Sequence, residues 1–220
     1  MVTVDAFILH KIPYKNSSEI VRLLTQTHGR IDVVAKGSRS QKSVFKGQLQ
    51  AFIKTTISFQ GKHALKTLTQ AEQTGLTKPA DYLNQVAMLY CNELLLMLNM
   101  DEEQGIAVYP VYRDLIHKLN SAESVTLLLR YFELTLCRLS GYALSINNDV
   151  ADNADLVFQA NHGLVVSHGH QNCNAETFRR FINRQPLNTA EIRGISRLFR
   201  TVVNHLVGGR AIRSRELLQK

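Results

Sequence analysis

No apolar run in this 220-residue chain approaches the roughly 20 residues a helix needs to cross a bilayer. The N-terminus lacks the basic start and long apolar core of a secretory signal. Cysteine is scarce: Cys91, Cys137 and Cys173 form an odd set with no CxxC pair, which argues against a disulfide framework and suits a reducing cytoplasm. P-loop, GxGxxG, GxSxG and HExxH motifs are all missing. Acids are sparse over the first 80 residues (Asp5, Glu19, Asp32, Glu72), so a paired-carboxylate metal nuclease site is not expected there. There is no internal repeat and no low-complexity segment. These absences point to a cytoplasmic protein with no membrane partner and no catalytic constellation.

Cationic charge is plentiful but segregated. Residues 1–80 carry 12 Lys/Arg against 4 Asp/Glu, residues 81–178 carry 4 against 12, and residues 179–220 carry 10 against 2. Basic ends around an acidic middle point to a polyanionic partner, or to a middle that folds back on one end.

The densest cationic stretch lies in GRIDVVAKGSRSQKSVFKGQLQAF, Gly29 to Phe52. A strand-like run, Ile31 to Ala35, leads into the twelve residues Lys36 to Gly47. These hold Lys36, Arg39, Lys42 and Lys46, no acid, and several Gly and Ser. Small residues let a backbone approach phosphates that Lys and Arg neutralise. Taken alone, such a loop is equally a solvated basic hairpin.

Five strands are predicted in the first 75 residues: Val2 to Leu9 (ended by Pro13), Glu19 to Thr25 (with a short helix as the alternative), Ile31 to Ala35, Leu49 to Phe59 and Ala64 to Gln73. Their number and size match a small barrel such as the OB-fold, which binds single strands in a cationic groove with stacking aromatics. Phe52 and Phe59 are expected in the core. Phe45, among the cations, is the expected base-stacking residue.

From Asp81, a candidate N-cap, the period becomes helical. Further helices are expected at Val108 to Leu119 with Pro110 in the first turn, and at Glu123 to Leu139, capped by Ser121 and closed by Gly141. Two more are expected at Ala175 to Asn183 and Ala190 to Val207. A short hairpin pairs Leu156–Gln159 with Leu164–Ser167. By their spacing alone, Arg193, Arg197 and Arg200 form a solvated helix face. His162, His168, His170 and Cys173 cluster at the hairpin, but without a second ligand pair a polar loop is the favoured reading over a zinc site. The fold class is α+β. Residues 1–79 are read as an OB-fold DNA-binding domain, and 80–220 as a helical domain with a loop and hairpin insertion at about 143–174.

The Gly29–Phe52 segment resembles the N-terminal signature of the bacterial RecO recombination-mediator family. Tyr90-Cys-Asn-Glu-Leu-Leu95, Arg130-Tyr-Phe-Glu-Leu134, Gly141-Tyr142 and Gly208-Gly-Arg-Ala-Ile-Arg-Ser-Arg-Glu-Leu217 resemble that family's later blocks in order. The resemblance covers nearly the whole chain. It implies an OB-fold with a helical domain, binding of single- and double-stranded DNA, annealing of complementary strands, and work with RecR to load RecA on SSB-coated single strands. The DNA surface would include Arg30, Lys36, Arg39, Lys42, Phe45 and Lys46. A pocket for the acidic, Phe-ended tail of SSB would use Arg130 and Arg193, with Leu134 as apolar wall. Many members hold a four-cysteine zinc site after the Gly-Tyr block. Here Asn147 and Asn148 stand near the first pair's place, and His168, His170 and Cys173 are the only remnants, so a zinc-free, cofactor-free member is expected. The rival readings are an OB-fold RNA-binding or ribosome-associated factor, and a metal-dependent nuclease.

Overall fold

A computed structural model describes residues 1–75, 81–119, 124–167, 169 and 173–217. Five strands close into a barrel: β1 (Val2–Tyr14), β2 (Ser18–Thr25), β3 (Gly29–Ala35), β4 (Thr55–Gln60) and β5 (Leu65–Gln73), in the order β1-β2-β3-β5-β4. All neighbours are antiparallel except β3 and β5. This is the OB-fold barrel. Period-two alternation fills it: Val4, Ala6, Ile8, Val21, Leu23, Val33, Ile57 and Leu68 point inward. On β1 the opposite parity is also buried, which makes Ala6–Leu9 a continuous apolar run. Phe7 packs its ring on Tyr109 and Tyr112.

The helices are α1 (Tyr82–Met97), α2 (Glu102–Leu119), α3 (Val125–Leu139), α4 (Ala175–Ile182), α5 (Thr189–Leu206) and the short α6 (Ser214–Leu217). Asp81 caps α1 by accepting from the Asn84 N–H at 2.8 Å. The hairpin forms as β6 (Asp155–Gln159) and β7 (Gly163–Ser167).

Contacts divide the chain into two compact units. One contains Met1–Glu123 and Ile212–Lys220, the other Ser124–Ala211. The packing units therefore do not follow the 79/80 division of the sequence, because α1, α2 and α6 belong with the barrel. In the second unit, α3, α4, α5 and the hairpin share a core that includes Leu156, Phe158, Phe178, Phe181, Ile195 and Phe199.

Several expected boundaries move. β1 runs through Pro13, which pairs with Glu19 where β1 has β2 as its neighbour but is past its pairing with β4. A ring without an N–H is tolerated on such an edge. β4 begins at Thr55, not Leu49, because Phe52 takes a left-handed φ of 66° that interrupts the extended run. α2 starts six residues before Val108. Asp101 accepts from the Gln104 N–H at 2.8 Å while the Gln104 side chain accepts from the Asp101 N–H at 3.1 Å, a reciprocal cap that nucleates the helix there. Pro110 thus lies inside the helix, and the carbonyl it leaves without an N–H partner, that of Ile106, is on the exposed side. α3 starts at Val125 with Ser124 at its N-cap; Ser121 lies outside the described residues. Gly141, at φ 84°, closes α3 as expected, with the Tyr142 N–H donating to the Cys137 carbonyl at 2.9 Å.

Candidate nucleic-acid interface

The segment joining β3 to β4 is a chain of tight turns. Backbone N–H groups of Ser38, Ser40, Ser43, Lys46 and Gln48 each donate to the carbonyl three residues back. Hydrogen bonds tie it to the turn between β1 and β2 and to the start of β2. The Arg39 N–H donates to the Ser17 carbonyl at 2.9 Å, and the Ser38 hydroxyl donates to the Glu19 carboxylate at 2.8 Å. Phe45 and Leu49 plug into the barrel core. With both ends and the middle held, Lys36, Arg39, Lys42 and Lys46 are all exposed. None of the four takes part in an ion pair among the described residues. The geometry suits phosphates: fixed backbone, outward cations, and no acid within the Lys36–Gly47 run itself.

Three sequence-based assignments change. Phe45 is only 6 % exposed, so it seats the loop and is not available for stacking. The exposed apolar group among the cations is instead its neighbour Val44, at 80 %. Arg30 caps a helix. Its guanidinium donates to the carbonyls of Leu95 (2.6 Å) and Leu98 (2.8 Å) at the C-terminal end of α1, where a cation is also favoured by the helix dipole. Beside it, Gly29 and Gly105 allow backbone contact between the barrel and α2: a Cβ on Gly105 would lie 2.7 Å from the Gly29 Cα. The Gly29-Arg30 pair therefore joins the helices to the barrel. Arg130 is already paired. Its guanidinium donates to the fully buried Glu133 carboxylate at 2.6 Å and to the Ser196 carbonyl at 3.4 Å. That sets its head against α5 at Ser196, one turn along that helix from Arg193, which is exposed, while Leu134 is half-buried.

Other motif residues are structural too. Asn92 donates to the Leu9 carbonyl at 3.0 Å and accepts from the Tyr112 hydroxyl. Burial raises the Tyr112 pKa well above its ordinary value. Glu93 accepts from the N–H groups of Arg213 (2.8 Å) and Ser214 (2.9 Å) and from the Ser214 hydroxyl (2.6 Å), and Arg215 lies over the Tyr90 ring. The Tyr90–Leu95 block and the basic tail thus hold each other. Sequence spacing gave no sign of it, since about 120 residues separate them.

Of the weak metal candidates, His168 and His170 lie outside the described residues. Cys173 is buried, and burial, with smaller contributions from Asp155 and Glu191, pushes its thiol up to about 12, which disfavours the thiolate a metal would need. Among the described residues no group of three or more His, Cys, Asp or Glu is placed to hold a metal. No helix among them is long and apolar enough to cross a membrane.

Residues that sequence reading missed are Tyr14 and Lys15, at the turn to which Arg39 is bonded. Lys15 lies over the Tyr14 ring, 5.3 Å from its centre. On the same barrel, an open cavity of about 600 Å³ is lined in part by Ile12, Ile20, Arg22, Leu65 and Lys66.

Residues 1–76 match the family described as recombination protein O N terminal, and residues 79–216 match recombination protein O C terminal. The DNA repair protein RecO of Vibrio parahaemolyticus is 31 % identical over 224 residues, covering 96 % of this chain and 90 % of that protein. The DNA repair protein RecO of Aliivibrio salmonicida is 30 % identical over 226 residues, covering 96 % of this chain and 92 % of that protein. The DNA repair protein RecO of Burkholderia orbicola is 37 % identical over 149 residues, 68 % of this chain and 54 % of that one. With family matches spanning both the barrel and the helices that follow it, the chain belongs to the recombination protein O family.

Proposed function

We propose that this protein is a non-catalytic mediator of recombinational DNA repair that anneals complementary single strands. The observation that carries the reading is the rigidly seated loop with four exposed cations, Lys36, Arg39, Lys42 and Lys46. Annealing needs no covalent step. A cationic surface that holds two strands lowers phosphate repulsion and raises their effective concentration, and phosphate contacts leave the base edges free to pair. No metal or other cofactor enters this mechanism. With RecR, the protein would help load RecA onto SSB-coated single strands in the bacterial cytoplasm, at the nucleoid.

Within the second unit, the site for the acidic SSB tail would centre on Arg193 and Leu134. Arg130 contributes less than an unpaired arginine would, since Glu133 neutralises it. The test is annealing of complementary oligonucleotides precoated with intact SSB or with SSB lacking its tail. Annealing that depends on the tail, and that Arg193→Ala abolishes only on coated strands, is the expected result. Tail-independent annealing would remove the pocket from the reading. Absence of annealing on bare strands would overturn it in favour of an RNA-binding role.

A further inference from the structure

With Phe45 buried, the cationic run Lys36–Gly47 has no exposed aromatic of its own. We propose that Tyr14 supplies one, as a stacking platform for an unpaired base, so that the surface engages bases of single strands as well as phosphates. The inference rests on the DNA-binding reading above and adds the base contact to it.

Tyr14 ends β1 and pairs with Ser18 on β2. The Ser18 hydroxyl accepts from the Gly37 N–H at 3.4 Å, and Ser17, one residue earlier, accepts from the Arg39 N–H. Tyr14 therefore stands two strand spacings, about 10 Å, from the start of the loop. A phosphate held at Lys36 or Arg39 leaves its own or the next base within reach of the ring. The ring is half-buried, which limits the entropy lost on stacking.

Lys15 strengthens the assignment. It takes a left-handed φ of 51°, a conformation that favours glycine, and the turn there sets its ammonium over the Tyr14 ring. A cation on that ring adds positive charge for the phosphate of the stacked nucleotide. Ile12, on the same face two residues back, and its cross-strand partner Ile20 begin the 600 Å³ cavity, where Lys66 adds positive charge while Arg22 is paired with Asp32 at 3.7 Å and Glu102 also lines the wall. A single strand leaving Tyr14 thus meets apolar wall and then Lys66, whereas a duplex keeps its base faces stacked inside and gains nothing from the ring.

The experiment measures binding of the full chain to an oligothymidylate, to an abasic sugar–phosphate oligomer of equal length, and to a duplex. Wild type is expected to bind the oligothymidylate about tenfold or more tighter than the abasic oligomer. Tyr14→Leu should lose most of that preference while abasic binding, duplex binding and salt slope stay unchanged; Tyr14→Phe should retain it. Equal wild-type affinity for both oligomers, or a preference that survives Tyr14→Leu, overturns the proposal. So does an equal loss on all three ligands. Photocrosslinking of wild type to 5-iodouracil oligonucleotides needs no variant: crosslinks at Tyr14 are expected, and crosslinks only elsewhere overturn it. If neutralising Lys36, Arg39, Lys42 and Lys46 together leaves duplex and abasic binding intact, the parent reading fails instead, and that readout is separate from base preference.

Discussion

Arg30 and Lys36 both belong to the basic Gly29–Phe52 stretch, yet the structure gives them different work, and substitution separates the two. If the four loop cations each neutralise one phosphate of a single strand, log Kobs should fall against log salt with a slope on the order of −3. Between 50 and 200 mM salt that is a loss of about 50-fold in affinity. Lys36→Ala should reduce the slope by about 0.7 and leave the melting temperature nearly unchanged, because its side chain is exposed. Arg30→Ala should do the reverse. It removes charged hydrogen bonds to the Leu95 and Leu98 carbonyls, each worth about 1.5–3 kcal/mol at most, since Arg30 is only half-buried. Stability should fall by roughly that amount while the salt slope is preserved. The assays are fluorescence anisotropy across a salt series and denaturant unfolding. A reduced slope in Arg30→Ala at unchanged stability would refute the capping assignment. An unchanged slope in Lys36→Ala would refute the loop as the phosphate surface.

Ala at Gly105 should destabilise by about 1–3 kcal/mol in denaturant unfolding, because its Cβ would meet the Gly29 Cα at 2.7 Å. Arg130→Ala should cost up to about 3–5 kcal/mol by removing the guanidinium that pairs with the buried Glu133 carboxylate, so a weakened SSB-tail affinity in that variant must be read beside its melting curve. Cys137 and Cys173, both held at about 12 by burial, should resist a thiol reagent at pH 8 in the native protein and react once it is unfolded. Stability should decline as pH rises past 9. Cys137, Cys173 and Tyr109 (the last also about 12) keep their protons in the folded state while the unfolded chain loses them from the ordinary values of 9.0 and 10.0, so the folded state binds more protons in that window and none of the effect is present below it. Urea unfolding at pH 8, 9, 10 and 11 measures it.

Local pattern carried much of this protein. Alternation on β1, with Val4, Ala6 and Ile8 inward, specified the barrel core, and the helical period after Asp81 specified the switch to α structure. The acid-free run from Lys36 to Lys46 gave the cationic surface directly, because charge density is a property of composition. Which side chains remain available to a ligand was decided only by tertiary contacts. Phe45 and Val44 are neighbours, and only the seating of the loop on the barrel buries one and exposes the other. Arg30 finds its carbonyls 65 and 68 residues away, Glu93 finds Ser214 at 121, and Arg130 loses its charge to a buried acid one helical turn along. A sequence displays a cation or an aromatic, but whether that group faces solvent or is spent on a partner depends on which distant backbone and side chain the fold brings against it.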